Sequence, residues 1–158
     1  PAFSFPPALA APAQQTDMNE STQHRARILI MDDEDDIRET LGLLLERMGY
    51  AVADAGDGAT AVERFREARK EQQPFDVVIL DLTVPGGMGG LEAARAMQAD
   101  QGETGELSGA RFIASSGYSS DPVLAHFGDY GFAAALAKPF RMRDLQDLIE
   151  SVLEGEAS

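Results

Sequence analysis

At four places along this sequence an apolar stretch ends on groups that can do chemistry: Asp32 with Asp33, Asp81, Ser115 with Ser116, and Lys138 followed by Pro139. Carboxylates gathered at short range cannot all stay ionised without a compensating charge, and a divalent cation is the simplest source of one. The chain has no cysteine and no suitably placed histidine, so an oxygen-only ligand set favours Mg²⁺ over zinc. Lys138, on a flexible stem, offers a point charge for a phosphate group. Taken singly, each feature has a plainer use. An Asp pair after a strand is commonly a helix cap with a favourable first-turn charge, and Glu34, Asp35 and Asp36 suit that role too. A lone Asp ends a turn, a Ser pair sits in a loop, and Lys-Pro stops a strand. The weight lies in the ordered set.

These groups need elements to bring them together. Five apolar runs stand out, at Ile28–Met31, Tyr50–Ala53, Phe75–Leu80, Arg111–Ala114 and Ala133–Ala137. Most are continuous rather than alternating, as in strands buried on both faces of a parallel sheet. Helical spacing fills the intervals. Ile37, Leu41, Leu44, Leu45 and Met48 form one face, which Gly49 stops. Ala61, Val62, Phe65 and Ala68 form a second; Leu91, Ala94 and Met97 a third. Val123, Leu124 and Phe127 form a shorter fourth, with Gly128 and Gly131 beyond, and Met142, Leu145, Leu148, Ile149 and Val152 form the last. Strand and helix thus alternate five times, which predicts an α/β sheet with helices on both faces.

In such a sheet ligands bind beyond the carboxyl ends of the strands, and all four polar positions fall at that edge. The sequence itself leaves strand order open. With the order 2-1-3-4-5, strands one and three would be neighbours about 4.8 Å apart, so Asp32, Asp33 and Asp81 would share a pocket. Lys138, two strands away, could then reach over it.

Composition narrows the classes of function. The formal net charge of −14 makes nucleic acid and anionic membrane surfaces poor partners and favours a cation or a basic protein patch. The absence of cysteine fits a reducing cytoplasm. No apolar run is long enough to span a bilayer, and the start lacks the basic and apolar halves of a signal peptide. Residues 1–25 are rich in Pro, Ala and Gln, as a linker or tail would be. The expected division is a linker over 1–25, one domain over 26–155 and a short tail over 156–158. A chain beginning at Pro1 is expected to be a fragment of a longer protein or a processed chain.

The motifs ILIMDDE at 28–34, VVILDLTVPGGMGG at 77–90, IASSGYS at 113–119 and ALAKPF at 135–140 resemble those of receiver domains of bacterial response regulators and hybrid histidine kinases. The resemblance covers about Arg27 to Glu154 and implies a flavodoxin-like (βα)5 fold with strand order 2-1-3-4-5. It implies Asp81 as phospho-acceptor, Asp33 as a direct Mg²⁺ ligand, Asp32 as a ligand acting largely through water, and the backbone carbonyl of Thr83 as the third protein ligand. Ser116, followed by the small Gly117, is similar to the hydroxyl that engages the phosphoryl group. Lys138 is similar to the family's lysine, with a cis bond to Pro139 expected. Thr83 and Tyr118 are expected to tune hydrolysis of the acyl phosphate.

Two departures stand beside this likeness. The family often has an aromatic residue three before the lysine; here it is Ala135, so switching is expected to rely on backbone shifts after Ser116. The loop Pro85–Gly90 has one residue more than the commonest family pattern, and its glycines give it freedom.

The wording LTVPGGMGG and SSGYS resembles receivers at the C-terminal end of hybrid sensor kinases, and FSFPPAL at 3–9 resembles the exit of a histidine-kinase ATP-binding domain. Neither His24 nor His126 lies in a phospho-accepting helix motif. The resemblance implies, as partners, a phosphohistidine donor domain in cis or trans and a histidine phosphotransfer protein. It also implies a signalling face, or a homodimer contact, made by the fourth helix, fifth strand and fifth helix. The rival readings are weaker. A pseudo-receiver binding module usually lacks part of the Asp32/Asp33/Asp81/Ser116/Lys138 set. An Asp-nucleophile phosphatase needs an acid where Thr83 stands. A flavin or nucleotide binder would be repelled by the acidic run at 32–36.

Overall fold

The computed structural model describes residues 24–83, 88–102, 109–118 and 120–154. Five parallel strands form its sheet: β1 (Arg27–Met31), β2 (Ala51–Ala55), β3 (Val77–Asp81), β4 (Arg111–Ser116) and β5 (Ala134–Ala137). Their order is β2-β1-β3-β4-β5, the flavodoxin-like arrangement. The helices are α1 (Asp35–Arg47), α2 (Gly58–Lys70), α3 (Gly90–Gly102), α4 (Pro122–Ala125) and α5 (Met142–Glu154), with a 3₁₀ turn at Phe127–Tyr130.

Successive residues of a strand point to opposite faces, so each continuous apolar run feeds two cores. Leu29, Met31, Val78, Leu80, Phe112 and Ala114 pack with α2 and α3. Ile28, Ile30, Val77, Ile79 and Ile113 pack with Leu41 and Leu45 of α1 and Leu145, Ile149 and Val152 of α5. Every residue of β3 is buried, so its last one, Asp81, is carried to the sheet edge from the centre of the domain.

Local signals set the helix ends. Gly49, at φ +98°, takes the left-handed conformation that closes α1, and its N–H donates to Glu46 O at 3.0 Å. The Asp57 carboxylate accepts from Thr60 N at 2.8 Å and caps α2. Asp121 caps α4 through Val123 N, with Pro122 in the first turn. The fourth helix departs from its spacing. Val123, Leu124 and Phe127 suggest one helix, but the chain leaves helical geometry at His126 (φ −128°, ψ 44°) and continues as the 3₁₀ turn.

Several expectations, namely the tail at 1–23, the FSFPPAL likeness, the inserted Pro85-Gly86-Gly87 and the end at 155–158, lie outside the described residues. Among the described residues no helix is long and apolar enough to cross a membrane.

Candidate functional site

The strand order makes β1 and β3 neighbours, with Met31 opposite Leu80. The residues that follow therefore converge. Asp32, Asp33 and Asp81 each offer a carboxylate oxygen, and these atoms lie within 4.8 Å of one another. Asp32 and Asp81 are buried and Asp33 is exposed. Asp32 is fixed through its backbone and side chain: its N–H donates to Ala55 O at 3.1 Å, and its Oδ1 accepts from Glu34 N at 2.9 Å.

Lys138, after β5, reaches across. Its Nζ lies 2.7 Å from Asp32 Oδ2 and 3.3 Å from Asp81 Oδ2. Burial works to lower the ammonium's pKa, but the hydrogen bond to Asp32 and the charges of Asp81 and Asp32 outweigh it, leaving the pKa above the ordinary lysine value. One ammonium against three carboxylates leaves the pocket with excess negative charge. The donors are all hard oxygens, a set that suits a hard divalent cation.

Asp81 is held on its other oxygen by Thr83, whose N–H donates at 3.0 Å and whose hydroxyl donates at 2.7 Å to Asp81 Oδ1. Beyond Thr83 the chain returns at Met88, whose carbonyl accepts from Gly58 N at 3.0 Å. Glycine is demanded at the end of this loop, Gly90, and at Gly58, the start of α2, where Met88 packs against it. A Cβ on Gly58 would lie 2.6 Å from Met88 O, and one on Gly90 would lie 2.5 Å from Asp81 O.

Ser116 is fully buried, and its backbone carbonyl accepts from Lys138 N at 2.8 Å. Its hydroxyl is engaged away from the carboxylates: it donates to Asp121 Oδ2 at 3.4 Å and accepts from Tyr118 N at 3.0 Å. Ser115 pairs in register with Asp81, and its buried Oγ has no hydrogen-bond partner. Tyr118 is 68% exposed. Ala135, on β5, is half-buried against the α2/α3 core, and the Lys138–Pro139 bond is cis.

The structure thus brings Asp32, Asp33, Asp81, Thr83 and Lys138 together and sets Ser116 at the end of neighbouring β4, with Tyr118 just beyond it. It adds two residues that motif spacing did not single out. Asp121 shares one carboxylate between Ser116 and the start of α4; its signal was the Asp-Pro pair, a helix-start pattern. Arg38 braces the loop after β1, and nothing in its helical position distinguished it from an ordinary surface arginine.

Comparison with known proteins agrees with this geometry. The family model described as the response regulator receiver domain matches residues 28–150. The receiver protein CpdR of Brucella abortus is 34% identical over 128 residues, covering 80% of this chain and 96% of that protein. The CAI-1 autoinducer sensor kinase/phosphatase CqsS of Vibrio cholerae is 32% identical over 110 residues; the match covers 70% of this chain but only 13% of CqsS. Among solved structures, the response regulator TrrA of Thermotoga maritima, in complex with Mg²⁺-BeF, superposes with a TM-score of 0.65. It is 28% identical, over 80% of this chain and 97% of TrrA. The chain belongs to the response regulator receiver domain family.

Proposed function

We propose that this domain takes a phosphoryl group from a phosphohistidine donor onto Asp81, with Mg²⁺, and passes the signal on by changing the α4-β5-α5 surface. The observation that carries the reading is the convergence of Asp32, Asp33 and Asp81 with Lys138 bridging two of them. The Mg²⁺-bound state of the similar TrrA supports the choice of cation. Asp33 and Asp81 would hold the ion directly, Asp32 through water, and Thr83 by its carbonyl. When bound, Mg²⁺ offsets the negative charge of the cluster and of the phosphoryl oxygens.

The protein's own groups do the rest. Thr83 holds Oδ1 of Asp81, which fixes the carboxylate for in-line attack on phosphorus as the imidazole leaves. The Lys138 ammonium lies beside the other oxygen, where it neutralises charge on the acyl phosphate. Ser116 gives up Asp121 and donates to a phosphoryl oxygen, which pulls the loop before α4. Tyr118 and Thr83 flank the approach of the water that later hydrolyses the product. Ala135 leaves no aromatic ring to rotate, so the change is carried by backbone.

The apolar groove of about 620 Å³ beside Lys138, lined by Ile37, Leu41, Phe140 and Met142 among others, supports a helical donor domain as partner, whether a kinase in cis or trans or a histidine phosphotransfer protein. We place the domain, over 26–155, in a cytoplasmic bacterial hybrid sensor kinase. The motif wording and the likeness to CqsS support this, and the sequence upstream of residue 1 tests it. The test of the chemistry is incubation with a small phosphoramidate, with and without Mg²⁺, read by intact mass. The expected result is a Mg²⁺-dependent gain of one phosphoryl group that Asp81→Asn abolishes. A gain that survives in Asp81→Asn would remove Asp81 as acceptor, and no gain in the parent protein would reject the reading.

A further inference from the structure

We propose that Arg38 is a positioning residue that pre-forms the Mg²⁺ site by locking the backbone of the Asp32–Asp33 loop; the inference rests on the receiver reading above. Arg38 lies in the first turns of α1, and its guanidinium turns back over the loop that precedes the helix. Nη1 donates to the backbone carbonyl of Asp32 at 2.7 Å, Nη2 to Asp35 Oδ1 at 2.6 Å, and Nε to Asp54 Oδ2 on β2 at 2.9 Å. The side chain is 18% exposed.

The three contacts differ in what they do. Asp35 and Asp54 have side chains 79% and 50% exposed, and ion pairs that wet contribute little to stability. The bond to the Asp32 carbonyl is part-buried and charge-assisted. With Asp32 N already bound to Ala55 O, it leaves both backbone groups of Asp32 tied, one directly to β2 and one through Arg38 to Asp54 on the same strand. Asp33 follows at once, so its exposed carboxylate inherits the direction of a fixed backbone. A run of five acidic residues, Asp32 to Asp36, would otherwise repel itself. The task needs a planar fork reaching three acceptors at once, which lysine cannot supply.

The experiment is calorimetric titration of Mg²⁺ into the full chain and into Arg38→Gln, Arg38→Lys and Asp54→Asn, with hydrogen exchange of the Asp33–Asp35 amides in metal-free protein. Outer residues of this kind typically change metal affinity by about tenfold or more. Arg38→Gln should therefore weaken Mg²⁺ by at least about tenfold, and Arg38→Lys by nearly as much. Asp54→Asn should move in the same direction by a smaller factor. The three amides should exchange faster in each variant, while saturating Mg²⁺ recovers most of the phosphorylation rate.

Unchanged affinity and unchanged exchange in a folded Arg38→Gln would overturn the inference. If that variant does not fold, the same outcome in Arg38→Lys and Asp54→Asn overturns it. Parent protein that binds Mg²⁺ but gains no phosphoryl group rejects the functional reading while the affinity comparison still decides Arg38; parent protein that binds no Mg²⁺ rejects both.

Discussion

The two loops that deliver carboxylates to the pocket are held in opposite ways. The loop between β1 and α1 is acidic and is held by side chains: Arg38 on its backbone, Lys138 on Asp32, and Asp32 on Glu34 N. The Met88–Gly90 end of the loop between β3 and α3 is held by backbone passing where no side chain fits, with Met88 O on Gly58 N and Gly90 against Asp81 O. Charge holds the first and so responds to salt, protons and cations. Shape holds the Met88–Gly90 end of the second, which should respond to them far less. Lys138 touches both Asp32 and Asp81 and is where the two schemes meet.

That contrast can be broken from either side. The largest effect is expected from Lys138→Met. It leaves Asp32 and Asp81, whose side chains are 5% and 3% exposed, without their counter-charge, at a cost of about 3 kcal/mol in metal-free protein. Urea denaturation would read this, and added Mg²⁺ should recover much of it; a loss that Mg²⁺ leaves untouched would mean that packing, not charge, holds the first loop. Next comes Gly58→Ala, whose new Cβ would meet Met88 O at 2.6 Å. We expect a loss of about 2 kcal/mol by overpacking, the same at low and high salt, and a marked salt dependence would contradict the contrast.

The smallest effect is expected from Asp57→Ala, which removes the cap of α2 beneath Gly58 and should cost about 1 kcal/mol near neutral pH. The Thr60 backbone N–H holds the Asp57 carboxyl below its ordinary value of 3.8. A group with a depressed folded pKa contributes above its unfolded value and loses that contribution as pH falls through the folded one. The difference between parent and variant should therefore be full above about pH 4 and shrink below it. A difference constant down to acid unfolding would show that the cap acts by something other than its charge.

Much of this was legible in the sequence because apolar runs tolerate few polar interruptions. Asp32, Asp81, Ser116 and Lys138 stood out for that reason, and the structure puts all four at one rim. Strand order was not legible from periodicity, since a buried parallel strand reads alike in any position of the sheet; only the motif likeness supplied it. Arg38 was hidden because its role depends on the closeness of Asp54, sixteen residues away, which only the pairing of β1 with β2 creates. The Ser116 hydroxyl is expected to engage a phosphoryl group; here its partners are Tyr118 N and Asp121 on the following loop, and Asp121 was hidden because only the fold of that loop brings it to Ser116. The fourth helix was over-read because three apolar positions cannot reveal a break at His126.

The strand order has one more consequence, for how copies of the domain meet each other. A row of free backbone groups along an open sheet invites another strand to pair with it. The two borders here are β2 and β5. β2 is five residues long and carries an exposed aspartate, Asp54, paired with Arg38. β5 is four residues of small side chains and leucine, and Lys138-Pro139 follows at once, a proline having no N–H to offer. Neither border is a long, flat, apolar template, so strand-to-strand pairing between copies along these edges is disfavoured.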